Sequence, residues 1–311
     1  LALLLGSGLT AQDQTESNST SDWISRIPFT LKRNKIILPV TINGSDTIDI
    51  TLDTGMPFEG FYLYHEEFID ELDLENGIEV QIGGAGEGEA ATGIMYDSVS
   101  TKIGDIEFAD QLVIISKSKT TQYFPKGGVT GKTIFKYPVV GIDYEKQLIS
   151  LENHMPRLDS SWTALDIWLN RNNIPYINTR VMINENEAPK DMRMYIDLAV
   201  SEFMEILVGP DDQLTIPGSS DRQRLGTGLS GDIYGVTGRI SAFIIDSYEM
   251  NNVISNFSDA EVRSKQPDKA DGIIGNGCLQ QFNIYLDYTG ETMYLKPNKY
   301  FTGIKLNKVK H

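Results

Sequence analysis

Two aspartates, Asp53 and Asp197, are of the residue type that acid–base chemistry at a shared site would need. Asp53 opens the tripeptide Asp53-Thr54-Gly55, and Ile48, Ile50 and Leu52 before it alternate with Thr47, Asp49 and Thr51. A period of two predicts a half-buried strand that delivers a carboxylate at its end. Gly55 lets the backbone fold sharply, bringing its N–H near the Asp53 oxygens, and the Thr54 hydroxyl is left to bond a neighbouring strand. Two carboxylates held within hydrogen-bond reach resist ionising together, so they share one proton and one pKa rises. The ionised partner then acts as a general base on water, while the protonated one donates to a carbonyl oxygen. Such a titration belongs to the pair, and neither residue has a fixed role.

The elements that would position these carboxylates come as an internal repeat. Gly131 and Asp143 of G-V-T-G-K-T-I-F-K-Y-P-V-V-G-I-D-Y recur as Gly275 and Asp287 of G-I-I-G-N-G-C-L-Q-Q-F-N-I-Y-L-D-Y, each 144 residues later. Gly128 and Gly272, Tyr144 and Tyr288, and Leu151 and Leu295 keep the same offset, which also carries Asp53 onto Asp197. Each copy is expected to hold an aspartate near its start and a Gly-x-x-Gly, short helix and Asp-Tyr strand near its end. Gly84, in the run Gly83 to Gly88, and Gly228, in L-G-T-G-L-S-G-D-I-Y-G, also lie 144 apart. Both copies therefore place a glycine-rich hairpin tip at the same point.

These motifs resemble the retropepsin-like aspartic proteases in their tandem single-chain form. The resemblance rests on L-D-T-G at 52–55, D-G-I-I-G at 271–275 with F-N-I-Y-L-D-Y following, and the glycine-rich 225–235 segment, and it covers about residues 28–298. It implies an all-β fold of two pepsin-like barrel lobes related by a pseudo-two-fold axis, and an aspartic endopeptidase that hydrolyses extended polypeptides. Asp53 and Asp197 would be catalytic, with Thr54, Gly55, Leu198 and Ala199 forming the two active-site loops. Gly84, Gly86, Gly228, Ser230 and Gly231 would belong to flaps that close over substrate and exclude water. Neither metal nor cofactor is implied. Leu198 lacks the hydroxyl that helps lock the loops in the family, Ala199 adds a methyl group, and Met56 is bulkier than the small residue usual there. These departures support a second reading, a weak or inactive homologue that binds extended peptides.

The rest of the chain bounds this picture. A net charge of −16 over 311 residues argues against nucleic acid as a partner. Residues 1–11 form a short apolar run ending in small residues, read as the remainder of a secretory signal, so the protein is expected to be exported to the periplasm, cell envelope or exterior. The run is too short to span a bilayer, and no transmembrane segment is expected. Residues 12–27 are read as a tether, 28–152 and 173–298 as the lobes of an internally pseudo-dimeric monomer, and 299–311 as a basic tail. Between the lobes, Leu158, Trp162, Leu165 and Leu169 recur at helical spacing, which predicts a short interlobe helix within residues 153–172. Asn43-Gly44 between two β-rich runs predicts a hairpin leading into the Asp53 strand. The single cysteine, Cys278, reads as a buried small hydrophobe, and His65, His154 and His311 share no metal-ligand spacing.

Overall fold

The structure, a computed structural model, describes residues 23–209, 214–216, 218, 220–259 and 270–306. The expected signal remnant, residues 12–22 of the expected tether and residues 307–311 of the tail lie outside the described residues.

Each copy of the repeat folds into a ring of six strands, which pairs every edge of the ring with a neighbour. In the first copy the ring runs Lys35–Ile42, Ile48–Leu52, Gly128–Thr130, Gly60–Leu63, Ile106–Ser116 and Ala91–Ile103, and closes by pairing Val40 with Ile103. In the second it runs Pro175–Met182, Lys190–Asp197, Gly272–Gly275, Met204–Leu207, Tyr248–Ser258 and Gly231–Ile245, and closes by pairing Val181 with Phe243. The chain is therefore all-β, with two tandem barrels. The register repeats as well as the topology. Ile50 pairs with Gly128 and Thr51 with Val129 in parallel, and 144 residues on Met194 pairs with Gly272 and Tyr195 with Ile273.

The Asn43-Gly44 turn is as expected: both residues have left-handed φ values, 49° and 75°, and the Ser45 N–H donates to Ile42 O over 2.9 Å. Left-handed backbone is open to Asn and Gly with little penalty, and it matches the twist of the paired strands.

A six-stranded sheet joins the copies, in the order Trp23–Pro28, Leu148–Glu152, Val139–Asp143, Phe282–Asp287, Thr292–Pro297 and Thr163–Asp166. At its centre Gly141 pairs with Tyr285, its own counterpart 144 residues later, flanked by Val140 with Leu286 and Ile142 with Ile284. Exchanging the copies maps this pairing onto itself, which places a pseudo-two-fold axis between Gly141 and Tyr285. A Cβ at Gly141 would lie 2.4 Å from Ser150 Oγ and 2.5 Å from the Tyr285 ring, so glycine makes room for the tyrosine that faces it.

Two expectations are corrected. The interlobe helix does not form: Thr163–Asp166 is a strand on Thr292–Pro297, and Trp168–Leu169 pairs with Pro175 and Tyr176. Thr163 and Ile167 are buried and Leu165 half-buried, whereas Ala164 and Asp166 are exposed, a period of two that the helical spacing of the larger residues masks. The open edge of the joining sheet recruits this backbone, and pairing across the fold overrides local preference. Likewise, the end of the tether is no tether. Trp23–Pro28 pairs with Leu148–Glu152, burying Ser25 and Ile27 in alternation with exposed Ile24 and Arg26.

Candidate active site

Asp53 sits where its strand ends, against the Gly128–Thr130 strand inserted into the barrel. Its N–H donates to Thr130 O over 2.8 Å, and Gly55 N–H donates to Asp53 Oδ1 over 2.7 Å. The second copy repeats the turn, with Ala199 N–H donating to Asp197 Oδ1 over 2.9 Å. Gly131 makes the first approach possible, because a Cβ there would lie 2.1 Å from Asp53 O. Its counterpart Gly275 has the same need, 2.2 Å from Glu202 O.

The two loops meet. A methyl group at Gly55 would lie 3.1 Å from Asp53 Oδ1 and 3.6 Å from Asp197 Oδ2, so the carboxylates from both copies flank a single point. Thr54 ties the loops together: its hydroxyl donates to Ile196 O over 2.6 Å and accepts from Leu198 N–H over 3.2 Å. Leu198 supplies no reciprocal bond, and its side chain is instead packed in the core. Burial raises the pKa of Asp53, and the neighbouring Asp197 charge raises it further. Burial raises Asp197 too, and Lys35 pulls both carboxyls down. A pair so placed resists losing its last proton, which favours a one-proton state above the usual carboxylate range.

The carboxylates form the floor of a cleft of about 1460 Å³, larger than the few hundred to ~1000 Å³ of a small-molecule site. Its roof is built by the two glycine-rich tips, which meet each other. Ser230 N–H donates to Ala85 O over 2.9 Å, Gly88 N–H to Ser230 O over 2.6 Å, and Gly84 N–H to Ser230 Oγ over 3.1 Å. Gly86 and Gly231 both have left-handed φ, 118° and 117°, and a Cβ at Gly86 would lie 2.3 Å from Gly231 O. Gly228 is as tight, 2.2 Å from Ala85 O. Gly86 and Gly228 thus allow backbone to pack on backbone, and Gly84 makes room for the Leu229 side chain. Met56 and Leu229 line the cleft between floor and roof.

Three neighbours of the pair were not singled out in the sequence. Lys35 lies at the cleft and acts on both carboxyls. Tyr64 lines the same wall, packed edge-on against Phe124, and its phenol is raised by burial and by the Asp53 charge. Glu205 is the third. Its strand position opposite Ile273 is the counterpart of Tyr62 opposite Val129, and a carboxylic acid there is 7% exposed with Oε1 lacking a hydrogen bond. Burial pushes its pKa from 4.5 up to about 7; Glu202 and Asp197 act in the same direction, against Ser258. The signal for Lys35 was the run Lys32-Arg33-Asn34-Lys35 in an otherwise acidic chain. Nothing local marked Glu205.

Glu205 gives a stability prediction. A carboxyl whose folded pKa is raised contributes fully below its unfolded pKa and loses that contribution as pH rises through the folded one. Wild-type stability should fall between about pH 4.5 and 7, and Glu205→Gln, which keeps the shape, should recover roughly 3 kcal/mol at pH 8. Denaturant midpoints measured across that window check this. Identical pH slopes for the two proteins would contradict it.

Among the described residues no three His, Cys, Asp or Glu side chains are grouped to hold a metal ion, and no helix is long and apolar enough to cross a membrane. Neither a family model nor a curated protein matches this chain.

Proposed function

We propose that this chain is an aspartic endopeptidase of the retropepsin-like kind, with Asp53 and Asp197 as its catalytic pair. One observation carries the reading: two copies of the same turn present carboxylates to one point on the floor of a cleft, beneath two hairpin tips. An extended peptide enters as an added strand, with main-chain bonds to the tips and loops and side chains in the apolar walls. A water between the carboxylates gives its proton to the ionised one as its oxygen attacks the scissile carbonyl carbon. The protonated carboxyl donates to the carbonyl oxygen as negative charge develops there. Collapse of the tetrahedral intermediate breaks the C–N bond, and the amine leaves with a proton returned from the pair. Burial raises both carboxyls, so the single-proton form persists to higher pH than ordinary carboxylates allow.

The pH dependence of kcat/KM on a cleaved peptide tests this reading. It should be bell-shaped, limited at low pH by loss of the ionised base and at high pH by loss of the shared proton. The high-pH limb should lie well above the usual carboxylate range, since burial and mutual repulsion both raise the pair. A profile flat from acid to alkaline pH is incompatible with the proposed pair.

A further inference from the structure

The cleft is pseudo-symmetric in its floor and roof but not in its charge. The turn between strands Thr30–Lys32 and Lys35–Ile42 brings Lys32, Arg33 and Lys35 to the cleft from the first copy alone; the other cation lining it, Lys126, also belongs to the first copy and is paired with Glu71. That turn is clamped across the pseudo-two-fold axis: Asn34 Nδ2 donates to Ser201 O over 3.0 Å, and Asn276 Nδ2 donates to Asn34 O over 2.8 Å. Its backbone is fixed as well, with Arg33 and Asn34 both left-handed at φ 50° and 58°. Lys32 is neutralised by Asp49 over 2.5 Å. Among the described residues Arg33 and Lys35 have no ion-pair partner, and apart from the catalytic pair Asp49 is the only acid lining the cleft. Arg33 also lines a smaller adjoining pocket with Lys119, where the second copy contributes Arg224 already paired with Asp232. The counterpart turn of the second copy gives the cleft only the apolar Ile174, beside Tyr176 and Tyr195.

A molecule of net charge −16 thus turns an unpaired, rigidly held positive cluster towards its own cleft. Resting on the endopeptidase reading, we infer that the substrate class is acidic peptides, with a carboxylate side chain on one side of the scissile bond seated against Arg33 and Lys35. The asymmetry also sets direction. A two-fold cleft accepts a peptide strand in either sense, and a charge from one copy alone selects one of them.

Matched peptides carrying Glu or Gln at successive positions around a cleaved bond test this through the ratio of their kcat/KM values. The wild type should favour Glu about tenfold, on one side of the bond only, from two charge contacts at a largely solvated rim. Arg33→Gln should cut the ratio about threefold, and Arg33→Gln with Lys35→Gln should bring it to about one. Any shift that Lys35 imposes on the catalytic pair acts on both peptides and cancels in the ratio. A second measurement needs no variant: raising salt to about 0.5 M should move the wild-type ratio towards one. Equal cleavage of Glu and Gln peptides, or a preference on both sides of the bond, would overturn the inference while leaving hydrolysis standing. Cleavage of no peptide at all would instead overturn the endopeptidase reading on which it rests.

Discussion

Asp197→Asn should lower kcat/KM as severely as Asp53→Asn, each by roughly 10²- to 10⁴-fold, the scale of a lost general acid–base group. Asp53 stands in the motif that the sequence states plainly, whereas Asp197 is followed by Leu198 and Ala199. The structure nevertheless holds them alike, each in a turn whose third residue donates its N–H to Oδ1. Asp197 as scaffold predicts a mild kinetic effect and a loss of stability. A shared-proton pair predicts something different: an amide cannot be the ionised base, and an Asn beside a lone Asp removes the mutual repulsion that kept a proton available. The double variant is the sharper test, since residues acting as a unit fail together and its activity should be close to that of either single variant. Losses that multiply, or an active Asp197→Asn protein, would reduce Asp197 to scaffold.

Thr54→Val should be the most damaging substitution that leaves both carboxylates in place. Valine keeps the shape but deletes the hydroxyl that serves Ile196 O and Leu198 N–H at once. Both groups are in the interior and would lose the Thr54 hydroxyl as a partner, at about 1–3 kcal/mol for each group left unsatisfied. A combined loss of about 2–6 kcal/mol should appear as a lower denaturant midpoint with an unchanged slope. Turnover should fall further than stability alone explains, because the two turns are then free to separate. The asymmetry of this tie also changes what is expected of Leu198. Restoring a hydroxyl with Leu198→Thr looks from the sequence like a gain, but Leu198 is 1% exposed within the main core. Trading that burial for a hydroxyl should cost stability. A Thr54→Val protein with wild-type midpoint and turnover would show that the loops are held by their barrels alone.

What the sequence made legible was whatever the repeat wrote twice. The offset of 144 placed Asp197 opposite Asp53, paired the glycines that crowd the loops, and matched the two hairpin tips. The same offset is realised physically at Gly141 and Tyr285, where the copies pair about their axis. Features that belong to one copy, or that arise only when the copies meet, were not legible. Residues 163–169 carry helical spacing and strand alternation together, and a distant partner, Thr292–Pro297, decides between them. The clamp of Asn34 on Ser201 and Asn276 spans residues 167 and 242 positions apart. Glu205 was hidden for the opposite reason: its register counterpart is Tyr62, and a charged type where the repeat has an aromatic one reads as a surface position until burial is known.

Digestion of an unbiased, proteome-derived peptide library by the wild type and by Asp53→Asn and Asp197→Asn, with new termini identified over a range of pH, separates a paired-aspartate endopeptidase from a protein that only binds peptides. Internal cleavage by the wild type is expected, with sites enriched for an acidic residue on one side of the broken bond, and no cleavage by either variant. Either of two results would contradict a paired-aspartate endopeptidase: no new termini from folded wild-type protein at any pH, or the same termini from a clean Asp53→Asn preparation.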